Sequence, residues 1–427
     1  MSILIKNATV LTMDKRNEIL ENACVLIEGK YIKYVGPYMS VLKADKEIDA
    51  NCNLLMPGLI NAHTHASMTL LRNYADDMNL EKWLFEYIFP IEDKFTPEDI
   101  YNGAIVGLME MIASGTTSFI DMYFHEDQVA EATLKTCMRA MLGFGLQNNK
   151  IEQRINNTKM LWNRYNGKND GCIQTVVSPH SVYTNNTDSL LEFKKLIPHT
   201  NSVFQIHLNE SENEVNNCLK VHNKTPIEYL ESLGYFEHKG ILAHVDNIND
   251  KEIEILKNKN LTLVMNPCSN LKLASGIMPV QKLLNSGLNV ALGTDGASSN
   301  NSLDMFETMK FASLLAKIVD KNPENLNAWD TIKMATVNGA KALGLENELG
   351  KVKENYLADL ILVDLNTLHN SPRSNVISSI VYSSKSSDVY TTIINGKIVY
   401  ENKQFVFLNK DEAIAKLQQS YMRITSK

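Results

Sequence analysis

LLMPGLINAHTH, residues 54–65, is a short apolar run that ends on two histidines two positions apart. On an extended segment such a pair points to one side of the strand, and two neutral imidazoles presented together make a chelating pair for a cation. Two imidazoles alone hold a metal weakly, so further ligands have to come from elsewhere in the chain. Seven more short β-rich runs follow: TTSFIDMY (116–123), RAMLGFGL (139–146), IQTVVSPH (173–180), VFQIHLNE (203–210), GILAHV (240–245), TLVMNPCS (262–269) and NVALGTDG (289–296). Segments with apolar residues at helical spacing, such as EDQVAEATLKTC (126–137) and DKEIEILKNKN (250–260), separate them. Eight such units predict an α/β fold, a (β/α)8 TIM-like barrel.

The ends of these runs carry the chemistry, because a barrel of this kind gathers the carboxyl ends of its strands at one mouth. His63 and His65 end the first run, His180 the fourth, His207 and Glu210 the fifth, His244 the sixth and Asp295 the eighth. Three imidazoles (His63, His65, His207) and the Asp295 carboxylate leave one position of a metal ion open for water, the arrangement of a catalytic site. A bound divalent cation lowers the pKa of such a water toward about 7, and Asp295 could take the proton released. Glu210, three residues past His207, is suited to shuttle a proton between water and substrate; a Glu there could equally cap the following helix. His244 could polarise the water or assist a departing group, or be a buried structural histidine. The segment from about Asn79 to Thr96 is read as a long loop covering the site. His125, His199, His222, His238 and His369 end no strand of the barrel and are expected on the surface or in capping roles.

Both chain ends alternate apolar and polar residues. Residues 3–13 and 24–35, with Gly29 at a turn, pair in expectation with ADLILVDL (358–365) and TTIINGKIVYENKQFVF (391–407), whose Asn395-Gly396 step signals a hairpin. The expected organisation is a small β-sandwich built from 1–55 and 350–427, with a terminal helix from about Lys410 to Tyr421, around a barrel at 56–349. A net charge of −7 argues against a nucleic-acid partner, and G-x-x-x-x-G-K-[ST] and G-x-G-x-x-G are absent. The opening residues carry no leader pattern and no apolar stretch reaches about 18 residues, so a cytoplasmic protein without membrane contact is expected. The six cysteines have no C-x-x-C spacing and are read as reduced, mostly buried thiols.

MPGLINAHTH, SPH (178–180), HLNE (207–210), AHV (243–245), NPCSNLKLASGIMPV (266–280) and LGTDGASSNNSLDMF (292–306) closely resemble the amidohydrolase superfamily, nearest to its 5-methylthioadenosine/S-adenosylhomocysteine deaminases. The resemblance covers nearly the whole chain and implies hydrolytic deamination of the adenine ring of a small nucleoside. It implies metal ligation by His63, His65, His207 and Asp295, proton transfer by Glu210 and His244, and substrate contact by His180. It also places Trp83 beside the nucleoside and Glu92 on the ribose hydroxyls. Arg154 matches one of two arginines suited to the carboxylate of S-adenosylhomocysteine, and Phe144 stands where the other is expected, which favours 5-methylthioadenosine, 5′-deoxyadenosine or adenosine. Binuclear relatives use a lysine at the end of strand four; Ser178-Pro179-His180 offers none, so a single divalent ion is implied, zinc by default, with iron or manganese fitting the same donors. Relatives of this kind often form homo-oligomers. A guanine, triazine or other amino- or halo-substituted heterocycle is the alternative substrate, and a non-catalytic scaffold the alternative class.

Overall fold

The computed structural model describes residues 2–199 and 203–426. The N-terminal part contributes β1 (Ser2–Leu11), β2 (Ile19–Glu28), β3 (Tyr31–Pro37), β4 (Lys46–Asp49) and β5 (Leu54–Pro57). Then come β6 (Leu59–His65), β7 (Thr116–Tyr123), β8 (Arg139–Leu146), β9 (Ile173–Thr175), β10 (Ser178–Pro179), β11 (Val203–Leu208), β12 (Lys239–His244), β13 (Leu261–Met265), β14 (Asn289–Leu292) and β15 (Asp295–Gly296). The C-terminal part adds β16 (Leu360–Val363), β17 (Val389–Ile394), β18 (Lys397–Glu401) and β19 (Gln404–Phe405). No helix among the described residues is long and apolar enough to cross a membrane.

Strands from both chain ends join in one nine-stranded sheet, ordered β19-β18-β17-β16-β5-β1-β2-β3 with β4 beside β1. The two ends meet at β5, which runs parallel to β1 and antiparallel to β16. Period-two alternation puts Ile3, Ile5, Val25, Ile27, Leu360 and Leu362 in one apolar cluster, while Leu4, Cys24 and Leu26 pack with Leu42 and Ala44 in another. Strands from both chain ends thus meet in one sheet that carries two apolar clusters. Asn395 and Gly396 turn the chain between β17 and β18 with φ of 50° and 74°, a conformation this pair adopts readily. The last helix runs Lys410–Thr425, a turn beyond the expected end, because it packs on the helix Pro97–Ala113, where Asn102 Nδ2 donates to Ser420 Oγ at 3.1 Å.

The remaining strands are parallel. β6, β7, β8, β9, β10 and β15 form one set and β11 to β14 a second. Bridges at Val177–Phe204 and Ser181–His207 join the sets, and the pairing of Asp295 with Thr64 returns the last run to the first. β11 and β13 are buried along their whole length, as expected where helices cover parallel strands. The run at 54–65 is not one strand but two, divided at Gly58: β5 belongs to the end sheet and β6 to the parallel set. Gly58 N–H donates to Asp359 O at 2.9 Å, and a Cβ there would lie 2.2 Å from Thr117 Cγ2, so the crossing passes through a gap that only glycine fits.

A buried ion pair ties the two layers together. Arg139 opens β8, and its Nε and Nη2 donate to Asp359 Oδ2 and Oδ1 at 2.8 and 3.1 Å; Asp359 Oδ1 also accepts from Asn395 N. Both side chains are almost fully buried. Removing one partner strands the other charge, so Arg139→Ala is expected to destabilise the fold by about 3–5 kcal/mol. Urea denaturation monitored by circular dichroism measures this; an unchanged midpoint and slope would contradict it.

Residues 80–92 are helical rather than a loop: α-helix at Leu80–Lys82, π-helix at Trp83–Ile88, α-helix at Phe89–Glu92. Pro90 has no N–H to donate and its ring clashes with an α-helical turn behind it. The turn widens instead, and Phe89 N–H donates to Leu84 O, five residues back. All six cysteines are free, but only Cys24, Cys172 and Cys218 are buried; Cys137 and Cys268 are intermediate and Cys52 is exposed. Cys52 lies in the turn before β5, where the chain is at the surface, so the expectation of mostly buried thiols holds for half of them.

Candidate metal centre and active site

The carboxyl ends of the parallel strands bring His63, His65, His207 and Asp295 to one point. His207 Nε2 lies 3.2 Å from His63 Nε2 and 3.3 Å from His65 Nε2, and Asp295 Oδ1 lies 3.2 Å from His65 Nε2 and 3.7 Å from His63 Nε2. Two tautomers are set by the backbone: His207 Nδ1 donates to His180 O at 2.8 Å and His65 Nδ1 to Met122 O. The Nε2 atoms therefore face inward, as in metal sites whose histidines are oriented by their outer nitrogen. Burial, reinforced by the neighbouring imidazoles, holds His63 and His207 well below the usual histidine range, so both are neutral. Burial acts against protonation of His65 too, but the hydrogen bond and charge of Asp295 outweigh it and raise His65 to about 9. A positive charge among these atoms is thus favoured. Their separations match the edges, roughly 3.3 Å, of a four-coordinate centre with bonds of about 2.0–2.1 Å, and His63, His65 and Asp295 form a group able to hold a metal ion. His63, His207 and His244 form a second such group.

Strained backbone surrounds this point. Asn209, His244, Val245 and Asp295 have φ of 51°, 75°, 56° and 61°, and a β-branched residue such as Val245 is rare there. Backbone hydrogen bonds from Val245 N to Leu208 O and Asn247 N to Asn209 O hold the strained turn in place. Such strain persists where surrounding structure over-determines it. Asp295 Oδ2 accepts from Ser269 Oγ and Ser299 Oγ at 2.6 and 3.0 Å, which directs Oδ1 at the imidazoles. Burial would raise Asp295, yet His65, His244 and His63 hold it well below the carboxylate range. Glu210 Oε1 is 3.9 Å from His244 Nε2. Burial, and then the charge of Asp295, push Glu210 up to about 8. His244 Nδ1 meets the side-chain amides of Asn266 and Asn270 at 3.3 and 3.1 Å.

A cavity of about 500 Å³ opens above the cluster, lined by His65, His180, His207, Glu210, His244 and Asp295 and roofed by Trp83 and Glu92. Trp83 is 5% exposed, and its Nε1–H has no partner among the described residues, leaving a donor for an acceptor group of a ligand. Glu92 accepts a hydrogen bond from Tyr123 Oη, and burial raises it to about 7. His180 Nδ1 sits 3.2 and 3.1 Å from the hydroxyls of Ser181 and Thr184, and burial lowers it to about 3.

Arg154 does line the cavity, but its guanidinium is engaged by its own loop: Nη1 donates to Gly145 O at 2.5 Å, Nη2 to Gln147 Oε1 at 3.1 Å and Asn149 Oδ1 at 2.7 Å, and Nε to Asn149 O at 3.0 Å. Phe144 is buried and does not line the cavity, whereas Gly145 does, because alternation on β8 sets Phe144 on the face of Ala140 and Leu142. Sequence reasoning also missed cavity residues. Tyr123 ends its run as His65 does and was open to the same strand-end argument. Gln147, Asn149 and Lys150 sit in a turn without periodic signal, and His125, set aside as a surface or capping residue, also lines the cavity. His199, His222, His238 and His369 lie away from it.

The sequence pattern of the Amidohydrolase family matches residues 54–399. The chain belongs to the amidohydrolase family. This amidohydrolase is 43% identical over 408 residues to the 5-methylthioadenosine/S-adenosylhomocysteine deaminase of Caldanaerobacter subterraneus subsp. tengcongensis, covering 95% of this chain and 94% of that protein. It is 42% identical over 417 residues to the 5′-deoxyadenosine deaminase of Methanosphaera stadtmanae, covering 97% and 96%. Among solved structures it is similar to an adenosine deaminase from Xanthomonas campestris with bound zinc, at a TM-score of 0.95 and 30% identity over 99% of this chain and 98% of that one. The chain is a hydrolytic enzyme of the deaminase kind.

Proposed function

We propose that this amidohydrolase hydrolyses the 6-amino group of 5′-substituted adenosines, 5-methylthioadenosine foremost, releasing ammonia. The observation that carries the reading is full-length similarity above 40% to relatives named for 5-methylthioadenosine and for 5′-deoxyadenosine. The parallel sets are read as one closed (β/α)8 barrel at 56–349, with 1–55 and 350–427 forming the sandwich. In support, Ile60, Ile120, Met141, Val176, Val203, Ile241, Val264 and Ala291, one from each of the eight runs, share a single apolar cluster.

His63, His65, His207 and Asp295 would hold one divalent ion; zinc, iron(II) and manganese all suit these donors. When bound, such an ion supplies an activated water at neutral pH. The reaction adds the water oxygen to C6 of the purine, protonates N1, breaks the C6–N bond and delivers a second proton to the departing ammonia. Glu210, with a carboxyl raised to about 8, is suited to carry the water proton to N1. Asp295 and His244 serve the leaving amine, and neutral His180 contacts the base. On the cavity roof, Glu92 accepts the ribose hydroxyls and the free Trp83 Nε1–H donates to the sugar end.

With most of the Arg154 donors already engaged, a negatively charged 5′ substituent gains little there. S-adenosylhomocysteine is therefore expected to have a kcat/KM roughly 10–100-fold below that of 5-methylthioadenosine, the worth of one charged hydrogen bond. Ammonia release by the metal-replete enzyme from 5-methylthioadenosine, 5′-deoxyadenosine, S-adenosylhomocysteine and guanine tests both points. Equal efficiency on the first and third removes the Arg154 argument, and turnover of guanine alone removes the substrate assignment.

A further inference from the structure

We infer that Tyr123 is a positioning residue for sugar recognition: its hydroxyl holds one oxygen of Glu92 and so fixes the roof of the cavity in register with the metal-ligating strand. The inference rests on the proposed reading of Glu92 as the acceptor of the ribose hydroxyls.

Tyr123 is the last residue of β7, and β7 pairs with β6, the strand that carries His63 and His65, through Thr64 and Asp121. Its ring is confined, stacked on Phe124 with centroids 4.3 Å apart at 26° and lying 6.1 Å from the His65 ring; Phe95 packs behind Phe124 at 6.1 Å. The phenol is 6% exposed and stays protonated, since burial and the adjacent Glu92 raise it well above the tyrosine range. It therefore donates, and a hydrogen bond from a neutral donor to a carboxylate is among the stronger kinds. Glu92 ends the helical segment that carries Trp83. Among the described residues, no other side chain from the strand ends hydrogen-bonds Leu80–Glu92.

The consequence is geometric. Cavity-lining residues of the roof recur at 80, 83, 84, 88, 89 and 92, one face of the helical segment, and its ring contact with a strand end, Phe89 edge-on to His180 with centroids 6.3 Å apart, carries no hydrogen bond. The Tyr123–Glu92 bond is directional and sets how far the sugar-binding carboxylate stands from the cluster of His65, His207 and Asp295. One carboxylate oxygen is taken by the phenol, and the other is left to accept from the substrate. A vicinal diol then meets an acceptor fixed in advance, which is how a site discriminates against a sugar lacking a hydroxyl. Without the phenol the carboxylate can rotate, and selectivity for the hydroxyl falls while the chemistry at C6 is untouched.

The test compares kcat and KM of the metal-replete enzyme on adenosine and 2′-deoxyadenosine for the wild type, Tyr123→Phe, Glu92→Gln and the double variant, with metal content and thermal unfolding measured on each. Tyr123→Phe is expected to raise KM for adenosine about tenfold, leave kcat within about threefold, and shrink the ratio of kcat/KM for adenosine over 2′-deoxyadenosine by about tenfold, as loss of a charged hydrogen bond dictates. In the Glu92→Gln background the Tyr123 effect is expected to vanish. Equal losses on both substrates, an unchanged ratio, or additive effects in the double variant would overturn the inference. A wild type that deaminates neither nucleoside and leaves 5-methylthioadenosine unchanged as well defeats the underlying substrate reading instead.

Discussion

Glu210→Gln is expected to keep its fold and its metal yet lose turnover by roughly 10²–10⁴-fold, the usual worth of a positioned acid–base group. The amide matches the carboxylate in shape but cannot take a proton from water or pass one to a ring nitrogen. The contact that shapes this turn, Glu210 N donating to Glu214 Oε2 at 2.8 Å, belongs to the backbone and survives the change. Glu210 is also separate from the four side chains that converge on the metal position. Its loss should therefore appear in kcat, with KM and metal stoichiometry close to wild type. Steady-state kinetics and elemental analysis on the same preparation check this, and near wild-type turnover would remove Glu210 from the mechanism.

The second large effect concerns the metal position. His207 is central to it, with Nε2 close to both His63 and His65 and Nδ1 anchored on the His180 carbonyl. His207→Asn is expected to lose bound metal on dialysis and to lose activity by at least about 10⁴-fold, since an ion that activates the water lowers the barrier by several kcal/mol. Chelation of the wild type should have the same effect and be reversed by added divalent ion, whereas the variant should not recover. Full activity in metal-free protein would contradict the assignment.

The parts of this site that lie at strand ends were legible in the sequence, because a run of short β segments and the rule that their carboxyl ends meet are enough to bring together His63, His65, His207, Glu210, His244 and Asp295. Residues that depend on loop conformation were not. Nothing in the spacing of Arg154 shows that Gly145, Gln147 and Asn149 engage its donors. The helical turns at 80–92 are not legible in the sequence, since a proline at position 90 argues against a continuous helix and the structure accommodates it with a π turn. Phe144 could have been placed: Met141 and Gly145 share one face of RAMLGFGL, and Phe144 shares the other with Ala140 and Leu142. The break of LLMPGLINAHTH at Gly58 was hidden, since both halves are apolar and only the pairing of Leu54–Pro57 with β16 separates them.

The most direct test of the central claim is to incubate the metal-replete enzyme with 5-methylthioadenosine and follow the absorbance change from an adenine to a hypoxanthine ring. Loss of the adenine band, with one ammonia released per nucleoside and no reaction after chelation, is the predicted result. An unchanged spectrum with the metal in place would contradict it.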